Sequence, residues 1–130
     1  MNWTIEVNNA CHFVRVTAQG DFTVIECVGI KEDVISLDCW HPEMNVLIDY
    51  REVSFNNLNI NALRTIGTFH QSKNEQFGTG KMALLMKSPR DFGFARQYEM
   101  ITEDKVSSQV HVFLDENRAL AWLDASSVAV

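Results

Sequence analysis

Proline and glycine are scarce in this chain: 2 and 6 of 130 residues. That composition excludes collagen-like repeats, long linkers and low-complexity segments. Cysteine is also sparse. Cys11, Cys27 and Cys39 are widely spaced and form no CxxC pair, so neither a zinc knuckle nor a dithiol redox site is supported. Small, partly buried thiols in a reducing compartment are the expectation. Positive charge is in deficit, with 11 basic residues against 17 acidic ones, a net charge of −6 and a pI near 5.1. Such a balance argues against docking on nucleic acid or an anionic membrane surface. No apolar run nears the ~20 residues that span a bilayer. The opening MNWTIEVNNA has neither the basic nor the apolar region of a secretory leader, so a cytoplasmic location is expected.

Catalytic signatures are missing as well. His12, His41, His70 and His111 show no HExxH or HxxxH spacing, and there is neither a GxSxG elbow nor a GxxxxGK[ST] phosphate loop. Cys39-Trp40-His41 brings a thiol near an imidazole in sequence, but at a proposed helix end. No cofactor, no metal site and no enzymatic activity are expected.

What is present is a mixed α/β pattern in one domain covering 1–130, with 46% hydrophobic and 22% charged residues. Met44–Phe55 organises it. Val46-Leu47-Ile48 is a continuous apolar run, the mark of a strand buried on both faces. It turns abruptly into Asp49-Tyr50-Arg51-Glu52, so the strand delivers charge at the carboxyl edge, where ligands of open α/β sheets usually bind. Before it, Trp3, Ile5 and Val7 alternate with polar residues. An Asn8-Asn9 turn and a second strand from His12 to about Ala18 complete a hairpin. Thr23 and Glu26 have capping-box spacing for a helix from about Val24 to Cys39, although β-branched VIECVGI also suits a further strand.

Asn56-Asn57 or Asn59 caps a second helix running to about Asn74, with Leu58, Ala62, Ile66 and Phe69 facing the sheet. Gly78-Thr79-Gly80 resets the chain before the apolar strand Lys81–Met86. Ser88-Pro89-Arg90-Asp91 starts a third helix, ending near Glu103. Val106–Leu114 reads as the last strand, a helix follows Asp115-Glu116, and Ala125–Val130 reads as a frayed tail. The order is β-β-α-β-α-β-α-β-α.

Several segments resemble the SpoIIAA-like branch of the STAS superfamily, also described as STAS/Sec14-like domains. They are Val46-Leu47-Ile48-Asp49 before Arg51 and Val53, Lys81–Leu85, Phe92-Gly93-Phe94-Ala95-Arg96, and Val112–Asp115 followed by Ala119–Leu123. The resemblance spans roughly Phe13 to Leu123. It implies a mixed, mainly parallel sheet of about five strands with helices packed mainly on one face. It further implies a non-enzymatic regulatory or protein-interaction domain, with a protein partner or itself as a homodimer. One departure matters. Anti-anti-sigma factors carry a phosphorylated Ser in the loop after the central strand, whereas this chain reads Phe55-Asn56-Asn57-Leu58-Asn59-Ile60 there. That loop offers no phosphoacceptor, and the phosphorylation switch is not carried over.

The candidate binding cluster joins the ends of the two apolar strands: Asp49 and Arg51 from the first, Lys87, Ser88 and Arg90 from the second, and Arg96 two turns further on. A helix start favours an anion, so this edge is the expected place for a carboxylate, phosphate or lipid headgroup. In the alternative reading Ser88 is only a cap and the arginines pair with Asp49, Asp91 or Glu99. Phe92, Phe94, Tyr98 and Trp122 are core by spacing, or line a small apolar pocket if the Sec14-like comparison extends to a lipophilic ligand.

Overall fold

The computed structural model describes residues 1–8 and 13–124. The Asn8-Asn9 turn, Cys11, His12 and the 125–130 tail therefore lie outside the described residues. Five strands, β1 (Asn2–Asn8), β2 (Phe13–Asp21), β3 (Asn45–Ser54), β4 (Lys81–Leu85) and β5 (Gln109–Phe113), form one sheet in sequence order. β1 is antiparallel to β2, and every later pairing is parallel. The helices are α1 (Val24–Ile35), α2 (Ile60–Ser72), the single turn α3 (Asn74–Phe77), α4 (Pro89–Thr102) and α5 (Glu116–Asp124). This is the mixed α/β architecture expected from the sequence, and Val24 onward is helix rather than strand.

Local chemistry sets the helix starts. Thr23 accepts from the Glu26 N–H at 3.2 Å, and its hydroxyl donates to the Glu26 carboxylate at 2.8 Å. Asn59 accepts from the Ala62 N–H, and Ser88 from the Asp91 N–H, each satisfying a donor that the first helical turn cannot pair. α1 stops at Ile35, four residues before the expected end at Cys39. The chain from Ser36 to Trp40 instead folds into turns, with Leu37 N–H on Val34 O and Trp40 N–H on Leu37 O. α2 is rotated from expectation: Leu63, Ile66, Gly67 and His70 are buried, while Ala62 and Phe69 are only half-buried. β5 begins at Gln109 rather than Val106, and Leu114 is exposed.

Two cores flank the sheet. α1, α2 and α4 cover one face, where Val14, Val16, Val46, Ile48, Met82, Leu84 and Val112 meet Ile30, Val34, Leu63, Ile66 and Ala95. The smaller core holds Leu47, Ala83 and Leu85 under Ala119 and Leu123 of α5. Alternation along β3 assigns successive residues to opposite faces, so Val46, Ile48 and Tyr50 join the larger core while Leu47 and Asp49 face α5's side. The C-terminal carbonyls of α5 are held by Lys81, which donates to Trp122 O at 2.7 Å, and by Asn45, which donates to Leu123 O. A cation there also suits the negative end of the helix.

The β2–β3 register slips by one residue: Thr17 pairs with Asp49 but Gln19 with Glu52. β3 thus carries a bulge at Tyr50-Arg51. An extra residue leaves one backbone group outside the ladder, and here the Arg51 N–H turns to the Asp49 carboxylate at 3.0 Å. The slip also shifts the alternation, so that Val53 and Phe55 return to the larger core.

Candidate ligand site

The charged end of β3 is a closed ion cluster on the α5 side of the sheet. Asp49, 5% exposed, accepts from the Arg51 backbone, from Arg51 Nε at 3.0 Å, from Arg51 Nη2 at 2.8 Å and from Arg15 Nη2 at 3.1 Å. Glu116, in the first turn of α5, takes Arg15 Nη2 at 2.6 Å and Arg51 Nη2 at 3.0 Å. Burial alone raises Asp49, but the Arg51 hydrogen bonds and the charges of Arg51 and Arg15 outweigh it and leave the carboxyl below its ordinary value. Glu116 is lowered too, chiefly by the Arg15 hydrogen bond. Arg51 is raised, first by its bond to Asp49. Two guanidinium groups face two carboxylates, so no net charge remains for an incoming anion.

The other proposed members lie elsewhere. Ser88 caps α4. Arg90 donates to Asn56 Oδ1 at 3.3 Å and lies over the Phe94 ring. Arg96 pairs with Glu99 at 2.7 Å. Glu99 also accepts from the Val112 N–H and faces His111, closing part of the open edge of β5, the kind of edge that otherwise invites strand pairing. Asp49 and Arg51 are thus brought together, whereas Arg51, Arg90 and Arg96 are each taken by separate partners. Cys39 is exposed, His41 Nδ1 meets Pro42 O and Trp40 Nε1 donates to Gln76 O. No hydrogen bond joins Cys39 to His41 among the described residues. Nor, among them, does any group of three His, Cys, Asp or Glu side chains stand ready to hold a metal ion. No described helix is long and apolar enough to cross a membrane.

A small cleft, with about 40 Å³ of free space, lies on the opposite side of the sheet. α1 supplies Cys27 and Lys31, the sheet Tyr50 and Leu84, α2 Leu63 and Ile66, and α4 Asp91, Phe94, Ala95 and Tyr98. Phe22, Phe55, Leu58 and Met86, all just beyond strand ends or in the following loop, complete the wall near the carboxyl edge. Its apolar lining with few polar groups has the character of small-molecule sites. Arg90, reaching from α4 to Asn56 in the β3–α2 loop, ties two of the cleft's walls together.

Five polar side chains, Lys31, Tyr50, Cys27, Tyr98 and His70, are buried at the inner wall or directly behind it. Lys31 is 2% exposed, and its Nζ contacts Met82 Sδ at 3.3 Å with the Tyr98 ring at 5.5 Å and the Phe77 ring at 5.9 Å. Burial pulls this amine down to about 8, with Cys27 acting weakly in the opposite sense. The Tyr50 hydroxyl and Cys27 Sγ lie 3.3 Å apart. Burial raises both, as it raises Tyr98. His70, fully buried behind them, is depressed to about 2 by desolvation first and the Lys31 charge second. Its neighbours form a relay: Tyr98 OH at 3.4 Å from Nδ1, Ser108 Oγ at 3.1 Å from Nε2, and Ser108 Oγ in turn within 3.3 Å of Gly78 O. All four groups are satisfied when Tyr98 donates to Nδ1 and Nε2–H donates to Ser108. A neutral, saturated imidazole of this kind braces α2, α4 and the Gly78 turn and is a poor base. Gly78 itself needs its positive φ of 68°.

Sequence reasoning named neither Arg15, Glu116, Lys31, Tyr50, Cys27 in this role nor His70. Lys31 had left a trace: at i+4 from Cys27 it falls within the apolar stripe of α1, where a charge is out of place.

No family model matches the chain, and no curated protein matches it. Among solved structures it is similar to an uncharacterized protein of the DUF3478 family from Shewanella loihica PV-4, described as having a SpoIIAA-like fold. The TM-score is 0.59 at 18% identity, over 94% of this chain and 92% of that one. Identity at that level speaks for the fold, and the fold of this chain is SpoIIAA-like.

Proposed function

We propose that this protein is a single-domain, non-enzymatic carrier or sensor that holds a small, largely apolar ligand between α1, α2, α4 and the sheet. The observation that carries this reading is the cleft itself: Phe22, Phe55, Leu58, Leu63 and Phe94 surround about 40 Å³ of free space beside the strand ends. A well-packed core leaves few voids larger than a water molecule, and this one exceeds the space one water needs and is lined chiefly by apolar side chains. The fold adds nothing to the choice, since one fold hosts many functions. A regulatory role in the cytoplasm, with a protein partner reading the bound state, fits a sensor of this kind. Among the described residues, the large exposed apolar ones, Ile25, Ile60, Met100 and Leu114, belong to four different segments. That scatter favours the cleft over a broad apolar docking face.

Native mass spectrometry of the protein purified from cells tests the reading. An added small-molecule mass is expected on the wild type and absent from Ala95→Phe, which fills the cleft from the buried Ala95 position. Apo mass alone under gentle desolvation, together with no thermal stabilisation by any apolar compound in a screen, contradicts it.

A further inference from the structure

We propose that the ligand of this cleft is a monoanion, an apolar body ending in one carboxylate, and that Lys31 is its counter-charge. The inference rests on the reading of the cleft as a ligand site and adds the chemistry of its occupant. The other buried charge among the described residues is compensated: Asp49 receives two arginines and a backbone N–H. Lys31, buried to 2% exposure on the cleft wall, has only a thioether sulfur and two ring faces. No carboxylate lies within ion-pair distance of it among the described residues. A buried ammonium without an anion is costly, and Met82 Sδ is a weak acceptor. An entering carboxylate supplies the missing partner.

The surroundings narrow the class further. Around Lys31 stand Cys27 on its own helix, His70 on α2, Phe77, Met82 on β4 and Tyr98 on α4, and it shares the cleft lining with Tyr50 on β3 and Asp91 on α4. Tyr50 and Cys27 share one proton contact at 3.3 Å, so the phenol is free to turn its O–H to a carboxylate oxygen while the thiol donates back. Asp91, the one carboxylate on the wall, sits in the first turn of α4 and makes no ion pair with Lys31. A single cation balances a single negative charge. A phosphate monoester would bring nearly two negative charges into the same apolar wall and leave one unpaired. Fatty acids and aromatic acids both meet this description, and their shared chemistry is what the site selects.

Matched probes test it: decanoate against 1-decanol, and 3-phenylpropionate against 3-phenylpropanol, titrated calorimetrically into wild type and Lys31→Met. The expected result is an acid bound at least tenfold tighter than its alcohol by wild type, with that preference lost in Lys31→Met while alcohol binding persists. Acid affinity in wild type should also fall about tenfold per pH unit above pH 8, as the free amine loses its proton, while alcohol affinity stays level. Acid and alcohol bound alike by both proteins would overturn the anion inference and leave the cleft reading standing. Should neither acid nor alcohol of either pair bind, the cleft reading fails and the inference with it. If Lys31→Met does not fold, the wild-type pH profile decides, and acid affinity level from pH 7 to 9.5 overturns the proposal.

Discussion

The two faces of the sheet handle buried charge in opposite ways. On the α5 side, Asp49 lies among Arg15, Arg51, Glu116 and a bulged backbone N–H, every charge matched within 3.1 Å. On the three-helix side, Lys31 is buried more deeply and has no anion. The first arrangement is complete without a ligand, and its carboxylate closes a defect in the β2–β3 ladder. The second is incomplete and borders open space. Polar groups gathered at a strand end therefore point less surely to a binding site than one polar group left unmatched in an apolar wall.

Asp49→Asn should separate the two most sharply. It leaves Arg15 and Arg51 facing one carboxylate and weakens the acceptor for the Arg51 N–H. A loss of about 3 kcal/mol in urea unfolding is expected, the scale of removing one partner from a buried ion pair. Lys31→Met should go the other way, since it removes an unmatched buried charge while keeping an apolar stem, and raise the melting temperature.

The pH dependence of stability sharpens the contrast. Lys31 titrates near 8 when folded against its ordinary 10.5, so above pH 8 the unfolded chain holds the extra proton and stability rises with pH. The gain amounts to at most about 3 kcal/mol. It is opposed above about pH 9, where the unfolded Cys27 thiol ionises ahead of the folded one, and ends near pH 10, where the unfolded Tyr50 and Tyr98 phenols do the same. Lys31→Met should show no rise between pH 8 and 10. On the acid side, His70 is held neutral down to about 2, so its contribution is lost progressively below about pH 6.5. Asp49 and Glu116, both lowered, add to the loss below the ordinary carboxylate range. Chemical denaturation at half-unit pH steps reads all three windows.

Smaller effects are expected at the surface. Ser88→Ala removes the cap on the Asp91 N–H and should cost about 1 kcal/mol. Arg96→Ala breaks an ion pair at a half-exposed arginine and should cost about 0–1 kcal/mol, leaving ligand affinity unchanged.

Element order was readable from the chain because its signals are local. The Thr23, Asn59 and Ser88 caps act within three residues, and the runs at Val46–Ile48 and Lys81–Leu85 declare strands buried on both faces. The end of α1 was readable only as an outer limit: Trp40-His41-Pro42 stops a helix by Cys39, whereas the turns from Ser36 to Trp40 go with tertiary contacts such as Trp40 Nε1 on Gln76 O. α2's buried stripe moved by one residue because His70 enters the core, which depends on Tyr98 and Ser108, 28 and 38 residues away. The Asp49–Arg51 pair was visible at spacing two, but its completion needs Arg15 and Glu116 from distant strands and helices. No periodicity reports that Asp49 and Lys31 lie on opposite sides of one sheet. The β3 bulge, which the sequence gives no sign of, lies within the charged stretch itself.

The most direct measurement is the titration of Lys31 itself, followed by the ¹³Cε and ¹⁵Nζ signals of a lysine-labelled protein with and without decanoate, assigned through Lys31→Met. A midpoint near 8 in the free protein, moving upward when decanoate binds, is the predicted result. An ordinary midpoint near 10.5 that decanoate leaves in place would contradict the account, because Lys31 would then be neither desolvated nor waiting for an anion.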